Sequence, residues 1–275
     1  MLRADLHTHT IASDGVLTIN DLLLKAKQKN LDIVAITDHD SIGSLDEALK
    51  LSKTLNIKVI PGIELTTLYN NENIHLLGYF KDSSFKDKTF QDFLLNTKLK
   101  RLERGKDILK KLKEYFNIDI NEEKLLKKNK GIIARPHIAH AILEAGYCND
   151  FCKIFDTFLS KTSPAYVPNN CPSLLEGINI LKSVNALSVI AHPTLIKKNN
   201  IKDLMDLQFD GMECLYPLNK EGDFEKFSQL CKKYNKISTA GSDFHGIPGD
   251  YNHGDLGQCF LGGNSLEKFL QMLSK

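Results

Sequence analysis

"LDIVAITDHDSIGSLDEALKLSKTLNIKVIPGIEL", residues 31–65, carries the decision about the fold. Leu31–Ile36 is a continuous apolar run of strand length, which suits a strand buried on both faces. Ser44–Leu55 has the composition and length of a helix, and Ile57–Leu65 is strand-like again. Strand, helix, strand in this order is the unit of a parallel sheet. Each strand also ends on chemistry. Asp38, His39 and Asp40 follow the first, and Glu64 sits in the second.

The same alternation extends in both directions. Leu2–Leu6 is apolar enough to be a short buried strand, and a helix-like stretch from Thr18 to Asn30 follows it. "TTLYNNENIHLLGY" (66–79) reads as a hairpin around Asn70–Asn73. Towards the C-terminus, "LSVIAHP", "FDGMECL" and "KISTAGSDFH" are strands separated by helical segments at 201–208 and 222–235. Repetition of this unit predicts β/α architecture and excludes a sandwich.

Residues 86–163 differ. Phe90, Phe93, Leu94, Leu102, Ile108, Leu109 and Leu112 recur at three- and four-residue spacings, which predicts long amphipathic helices and no strand. The expectation is a small helical domain inserted into a barrel made of residues 1–85 and 164–275. Its basic stretch "KLKRLERGKDILKKLK" (98–113) is a solvated helix face or, on a sharper reading, a charged lip for an anionic substrate.

Composition narrows the function classes. The chain has 275 residues, 42% hydrophobic and 25% charged, as in a globular protein with a sizeable core. No apolar run reaches the length of a membrane span. A net charge of +2 does not by itself imply nucleic-acid binding, and no sequence-specific binding module is present. The six cysteines are too scattered for a disulfide scaffold, so free thiols in a cytoplasmic protein are expected.

The nine histidines concentrate the chemistry. His7 and His9 alternate along an extended chain and face one side. His39, His75, His192 and His245 fall at the ends of strand-like segments, in company with Asp38, Asp40, Glu64 and Asp243. A parallel β/α barrel gathers the carboxyl ends of its strands on one face, so residues remote in sequence become neighbours there. Imidazoles and carboxylates without thiolates favour zinc, manganese or iron(II) over magnesium or calcium, and a basin of this size calls for more than one ion.

"DLHTHTIASDG" (5–15), "AITDHDSIG" (35–43), "GIELTT" (62–67), "HLLGY" (75–79), "AHP" (191–193) and "GSDFH" (241–245) resemble, in order, the motifs of the polymerase and histidinol phosphatase (PHP) family of metal-dependent phosphoesterases. The resemblance spans nearly the whole chain. It implies a distorted (β/α)7 barrel, here with the helical insertion, and two to three divalent ions, manganese first, with iron or zinc as alternatives. It further implies that His7, His9, Glu64 and Asp243 hold one ion. Glu64 would bridge to a second held by His75 and His192, and Asp14, His39 and His245 would hold a third. No position of the ligand pattern is empty. The implied nucleophile is a hydroxide bridging the metals, and no nucleophile elbow competes with it. Asp40 either shuttles a proton or orients a ligand, and the second role is the better fit.

Substrate choice is expected from "IIARPHIAHAILEAGY" (132–147), where Arg135 and His137 open a helix. Only four of the thirty-six basic residues are arginine, and a guanidinium grips phosphate through two parallel bonds where lysine cannot. "RPHIA", with "PAYVP" at 164–168, resembles the PHP branch of nucleotide and 3′,5′-nucleoside bisphosphate phosphatases and 5′-to-3′ exoribonucleases, in which this Arg and His lie near the substrate phosphate. The implied partner is a small nucleotide or short 5′-phosphorylated RNA. A histidinol-phosphate phosphatase and a non-catalytic structural PHP module are the alternatives. His140 and His253 match no motif and are left outside the site.

Overall fold

The computed structural model describes residues 2–129 and 133–275. The chain divides into two compact units, Met1–Gln91 with Pro172–Lys275, and Asp92–Cys171.

In the first unit seven strands form one sheet in sequence order: β1 (Ala4–Asp5), β2 (Ile33–Ile36), β3 (Lys58–Tyr69), β4 (Glu72–Tyr79), β5 (Leu187–Ile190), β6 (Gly211–Leu215) and β7 (Ile237–Ala240). Six strands run the same way, while β4 is antiparallel to both its neighbours. Leu6 N donates to Ala240 O at 3.2 Å and Thr8 bridges Phe244, so the last strand returns to the first and the sheet is nearly a closed barrel. Around it lie α1 (Ile19–Gln28), α2 (Leu45–Leu55), α7 (Leu174–Ser183), α8 (Ile201–Leu204), α9 (Asp223–Lys233) and α10 (Gly263–Leu273). Their starts are written locally: Thr18 caps α1 through Asp21 N, and Ser173 and Glu176 form a capping box on α7.

The reversal at β4 has a local cause. Asn70 and Asn71, the two residues between β3 and β4, have φ of 45° and 61°, the signature of a type I′ hairpin turn, which asparagine tolerates. Strand pleating then decides what faces inward. Ile60 and Glu64 lie on one face of β3, and His75, Leu77 and Tyr79 share one face of β4. Ile60, Leu77 and Tyr79 belong to the barrel core, so Glu64 and His75 continue its apolar layers into a polar one.

Opposite that polar layer the core is stopped by α10, whose Leu266 and Phe269 join it. Tyr79 meets Phe269 edge-on at 5.1 Å and donates to Leu6 O at 2.9 Å, which satisfies its buried hydroxyl. Leu2 departs from expectation, since it is 53% exposed and burial begins at Ala4.

The second unit is helical: α3 (Lys88–Phe116, which begins in the first unit), α4 (Glu122–Lys128), α5 (Arg135–Glu144) and α6 (Phe151–Thr157), around Ile108, Leu112, Ile118, Ile138 and Ile142. Residues 164–171, read from the sequence as the return to the barrel, lie here. Ala165 is buried in the helical core, and Arg104 Nε donates to the carbonyls of Val167 and Pro168. Residues 86–91 lie with the barrel, where Phe90 packs edge-on against Phe80. Part of the expected helix start, Ile132, falls outside the described residues. No described helix is long and apolar enough to cross a membrane.

Removing the Phe269 ring leaves a cavity beneath the barrel. Phe269→Ala is expected to cost about 3–5 kcal/mol, read as a lowered urea midpoint with an unchanged slope. A shift under about 1 kcal/mol would show that α10 does not close the core.

Candidate metal centre

At the polar end of the barrel one carboxylate is surrounded by histidines. Glu64 Oε2 lies 3.2 Å from His7 Nε2, 3.1 Å from His9 Nε2 and 3.2 Å from His39 Nδ1. Its other oxygen, Oε1, lies 3.0 Å from His75 Nδ1 and 3.1 Å from His192 Nε2. Asp243 Oδ1 stands 3.3 Å from His7 Nε2 and 3.1 Å from His9 Nε2. On the outer side, the half-exposed Asp14 reaches His245 Nε2 at 3.2 Å and faces His9 and His39.

These side chains arrive from many strands because each barrel strand ends at this layer, with β4 contributing its opening half. The backbone bends sharply to deliver some of them. Asp40, His192 and Asp243 have φ of 49°, 25° and 53°, an unfavourable region for non-glycine residues. Asp40 secures the chain just after Glu64, since Asp40 N donates to Glu64 O and Thr66 N donates to Asp40 Oδ1, while Glu64 N donates to Asp38 O.

The atoms at the centre do not satisfy one another. His7 Nε2, His9 Nε2, His39 Nδ1, Glu64 Oε2 and Asp243 Oδ1 are buried, and none meets an aligned hydrogen-bond partner. Such a group is costly unless something else pairs with it. Ligands held about 2.1 Å from one ion in tetrahedral or octahedral geometry lie about 3.0–3.4 Å apart, the separations seen here. Grouped by reach, His7, His9, Glu64 and Asp243 could hold one ion, His39, Glu64 and His75 another, and His9, Asp14, His39 and His245 a third. His192 shares Glu64 Oε1 with His75. The donor set therefore fits divalent cations, and the structure brings together all nine residues singled out for metals in the sequence.

Charge balance without an ion is uneven. Burial disfavours a proton on His9, but Asp243 and Glu64 push its pKa up to about 10. Burial opposes a proton on His7 too, yet Asp243, Glu213 and Glu64 hold its pKa well above the ordinary value. His39 goes the other way, pulled down to about 4 by burial against the opposing pull of Glu64 and Asp14. Glu64 overcomes the burial that would raise its pKa, because His39, His7 and His75 keep it well below the carboxylate range. Protons occupy positions that suit a cation, and binding a metal would release them.

Two further residues belong here, Glu213, which the sequence does not single out, and His253, which the sequence reading leaves outside the site. Glu213, fully buried, bonds His7 Nδ1 at 3.1 Å and accepts from His192 N at 2.8 Å, so it orients one ring and one strained backbone turn. A lone carboxylate inside the apolar strand "GMECL" was the available signal. His253 stacks on His245 at 4.0 Å with Asp250 on its Nδ1, and with Asp243 and His245 it forms a further metal-competent group. Asp38, noted among the strand-end carboxylates, instead accepts from Thr10, Ser13 and Ser44 and braces the loop that bears Asp14.

Arg135 and His137 lie in the helical unit. Arg135 is the first residue of α5, with Nη1 3.5 Å from Leu159 O and its guanidinium 6.0 Å from the Phe155 ring centroid. His137 Nδ1 accepts from Ala134 N at 3.3 Å and caps the helix start, while His140 packs its ring against Phe151. All six cysteines are free thiols.

Residues 5–135 match the family model described as PHP domain. A 5′-3′ exoribonuclease of Salmonella typhimurium is 28% identical over 249 residues, covering 88% of this chain and 84% of the relative. A 3′,5′-nucleoside bisphosphate phosphatase of Chromobacterium violaceum is 27% identical over 259 residues, covering 91% and 89%. Among solved structures, a Bifidobacterium adolescentis protein assigned to the metal-dependent phosphoesterases superposes with a TM-score of 0.79 at 27% identity, covering 98% of this chain and 96% of that one.

Gly241 leaves the room this cluster needs: a Cβ there would stand 2.3 Å from His7 Cβ and 2.7 Å from Glu213 Oε1. Gly241→Ala is expected to destabilise the metal-free protein by about 1–3 kcal/mol, the usual cost of overpacking, and to lower retained metal after dialysis. An unchanged urea midpoint with full metal retention would place β7 farther from His7 than described.

Proposed function

Starting from a chain that carries a PHP domain, we propose that it is a metal-dependent hydrolase of phosphate esters in nucleotides, namely 3′,5′-nucleoside bisphosphates, mononucleotides or short 5′-phosphorylated RNA. The observation that carries the reading is Glu64, whose two buried oxygens are divided between two sets of histidines, as a carboxylate shared by two cations would be. Relatives named as an exoribonuclease and a bisphosphate phosphatase, each matched over most of both chains, support a nucleotide or RNA phosphate as the ester.

In this reading His7, His9, Glu64 and Asp243 hold one ion, Glu64, His75 and His192 a second, and Asp14, His39 and His245 a third. Manganese is the first candidate, before iron or zinc. Bound divalent ions neutralise a phosphate dianion and activate water near neutral pH. The protein's own contributions are orientation and charge. Glu213 fixes the tautomer of His7, because a carboxylate on Nδ1 leaves Nε2 free to face the centre. Asp40 pins the backbone from the Glu64 carbonyl to Thr66 N and so helps to set where the Glu64 carboxylate lies.

Substrate phosphate falls to Arg135, with His137 beside it. Three of the four arginines, Arg101, Arg104 and Arg135, lie in the helical unit, where burial lowers the pKa of Arg104 and the charges of Arg135 and Arg101 lower it further. Like charges collected this way are relieved by an anion, and a guanidinium at a helix start grips phosphate in two places. The helical unit is thereby the source of substrate selection.

Protein loaded with manganese is expected to retain two to three ions per chain by elemental analysis, and to hydrolyse a 3′,5′-bisphosphate, a 5′-mononucleotide or 5′-phosphorylated RNA in preference to histidinol phosphate. One ion or fewer, or a preference for histidinol phosphate, would overturn the assignment.

Arg135→Ala is expected to lower kcat/KM on a nucleotide about ten- to a hundredfold, for a charge-assisted contact of about 1.5–3 kcal/mol. Arg135→Lys should restore only part of this, since the charge returns without the fork. Equal kcat/KM in the alanine variant and the wild type would remove Arg135 from substrate binding.

A further inference from the structure

The rim of the metal centre is less polar than its floor. Ile11 (40% exposed) and Val16 (48%) bracket Asp14 in the loop after β1. Ile247 (43%) and Tyr251 (88%) lie between His245 and His253 in the loop after β7. The two loops meet, since Val16 N donates to His245 O at 2.9 Å and a Cβ on Gly246 would lie 3.2 Å from Val16 Cγ2.

Tyr251 stands out within this rim. The residues around it are tied down. Asp250 bonds both Asn252 N and His253 Nδ1, Tyr216 Oη donates to Asn252 O, and Gly254 N donates to Ser242 O. His253, two residues on, lies flat on His245, so the Tyr251 backbone is within about 7 Å of chain from a residue touching the centre. The loop is anchored to the site on both sides of a tyrosine ring left in water.

We propose that Tyr251 is a stacking platform for the nucleobase of the substrate, with the Val16 and Ile247 side chains forming the apolar edge beside it. The inference rests on the nucleotide reading above and adds how the base, as distinct from the phosphate, is recognised. A nucleotide has a charged end that suits divalent ions held on the carboxylate–histidine floor and a flat end that suits an aromatic and aliphatic rim. Every base offers a π-face, so such a platform gains affinity without reading sequence.

The test is calorimetric binding to manganese-loaded full-length protein, with adenosine 5′-monophosphate and ribose 5-phosphate as probes that differ only in the base. Tyr251→Ala is expected to weaken the mononucleotide about five- to a hundredfold, the range spanned by base–aromatic stacking, and to leave ribose 5-phosphate unchanged. Tyr251→Phe should stay within about twofold of wild type for both, and the melting temperatures of the three proteins should coincide. An equal effect of the alanine variant on both probes, or no effect on either, would overturn the platform. Hydrolysis of nucleotides with an indifferent Tyr251→Ala would overturn it while sparing the nucleotide reading. Base-dependent binding without hydrolysis of any nucleotide would support the platform and overturn the hydrolase instead. Failure to bind either probe would overturn both.

Discussion

A buried carboxylate shared among five imidazoles governs this structure. Glu64 is fully buried, and an ionised group in that position is tolerable only where positive charge surrounds it. The protein assembles that charge from strand ends scattered along the chain, and it accepts left-handed backbone at Asp40, His192 and Asp243 to do so. Glu213 and Asp40 do not compete for the centre. They hold His7, His192 and the Glu64 strand in place, so the cluster is oriented from outside as well as balanced within.

The single reversed strand is what makes this arrangement compatible with a barrel. Had β4 run parallel to its neighbours, His75 would have needed a crossover connection to reach the polar end. A two-residue asparagine turn achieves the same placement and sets the register in which His75 pairs with Thr66, two residues beyond Glu64. Below this layer the interior is an ordinary apolar core, stopped by Phe269 and Tyr79. Stability and chemistry thus occupy opposite ends of one sheet, as in other β/α barrels.

How much of this was legible depended on the kind of signal. His7, His9, His39, Glu64, His75, His192 and Asp243 lie next to short apolar strands, and that context exposes a histidine or carboxylate as out of place. The hairpin was legible because asparagine pairs mark positive-φ turns. Glu213 was not, since an isolated carboxylate in "GMECL" reveals itself only once the strand is known to face inward at that position. His253 sits among glycine, proline and aspartate in a loop without periodicity, where position follows from tertiary contacts alone. The allocation of residues 164–171 to the helical unit depended on side chains of α3 reaching backbone carbonyls, a pairing that no local pattern encodes.

The hairpin also sets an order of assembly. Glu64 and His75 are eleven residues apart and can meet as soon as β3 and β4 pair, on the microsecond scale of hairpin formation. His7 and Glu213 are separated by 206 residues, and Asp5 and Ser242 by 237, so those contacts carry the loop-closure cost of nearly the entire chain. During synthesis the half-site on the hairpin exists early, while the face built from His7, His9 and Asp243 waits for the last barrel strand to emerge. A growing chain can therefore gather the ligands of its first four strands around Glu64 early, but His192, Asp243 and His245 join only as the barrel closes, so the complete centre is a late product of folding rather than its nucleus.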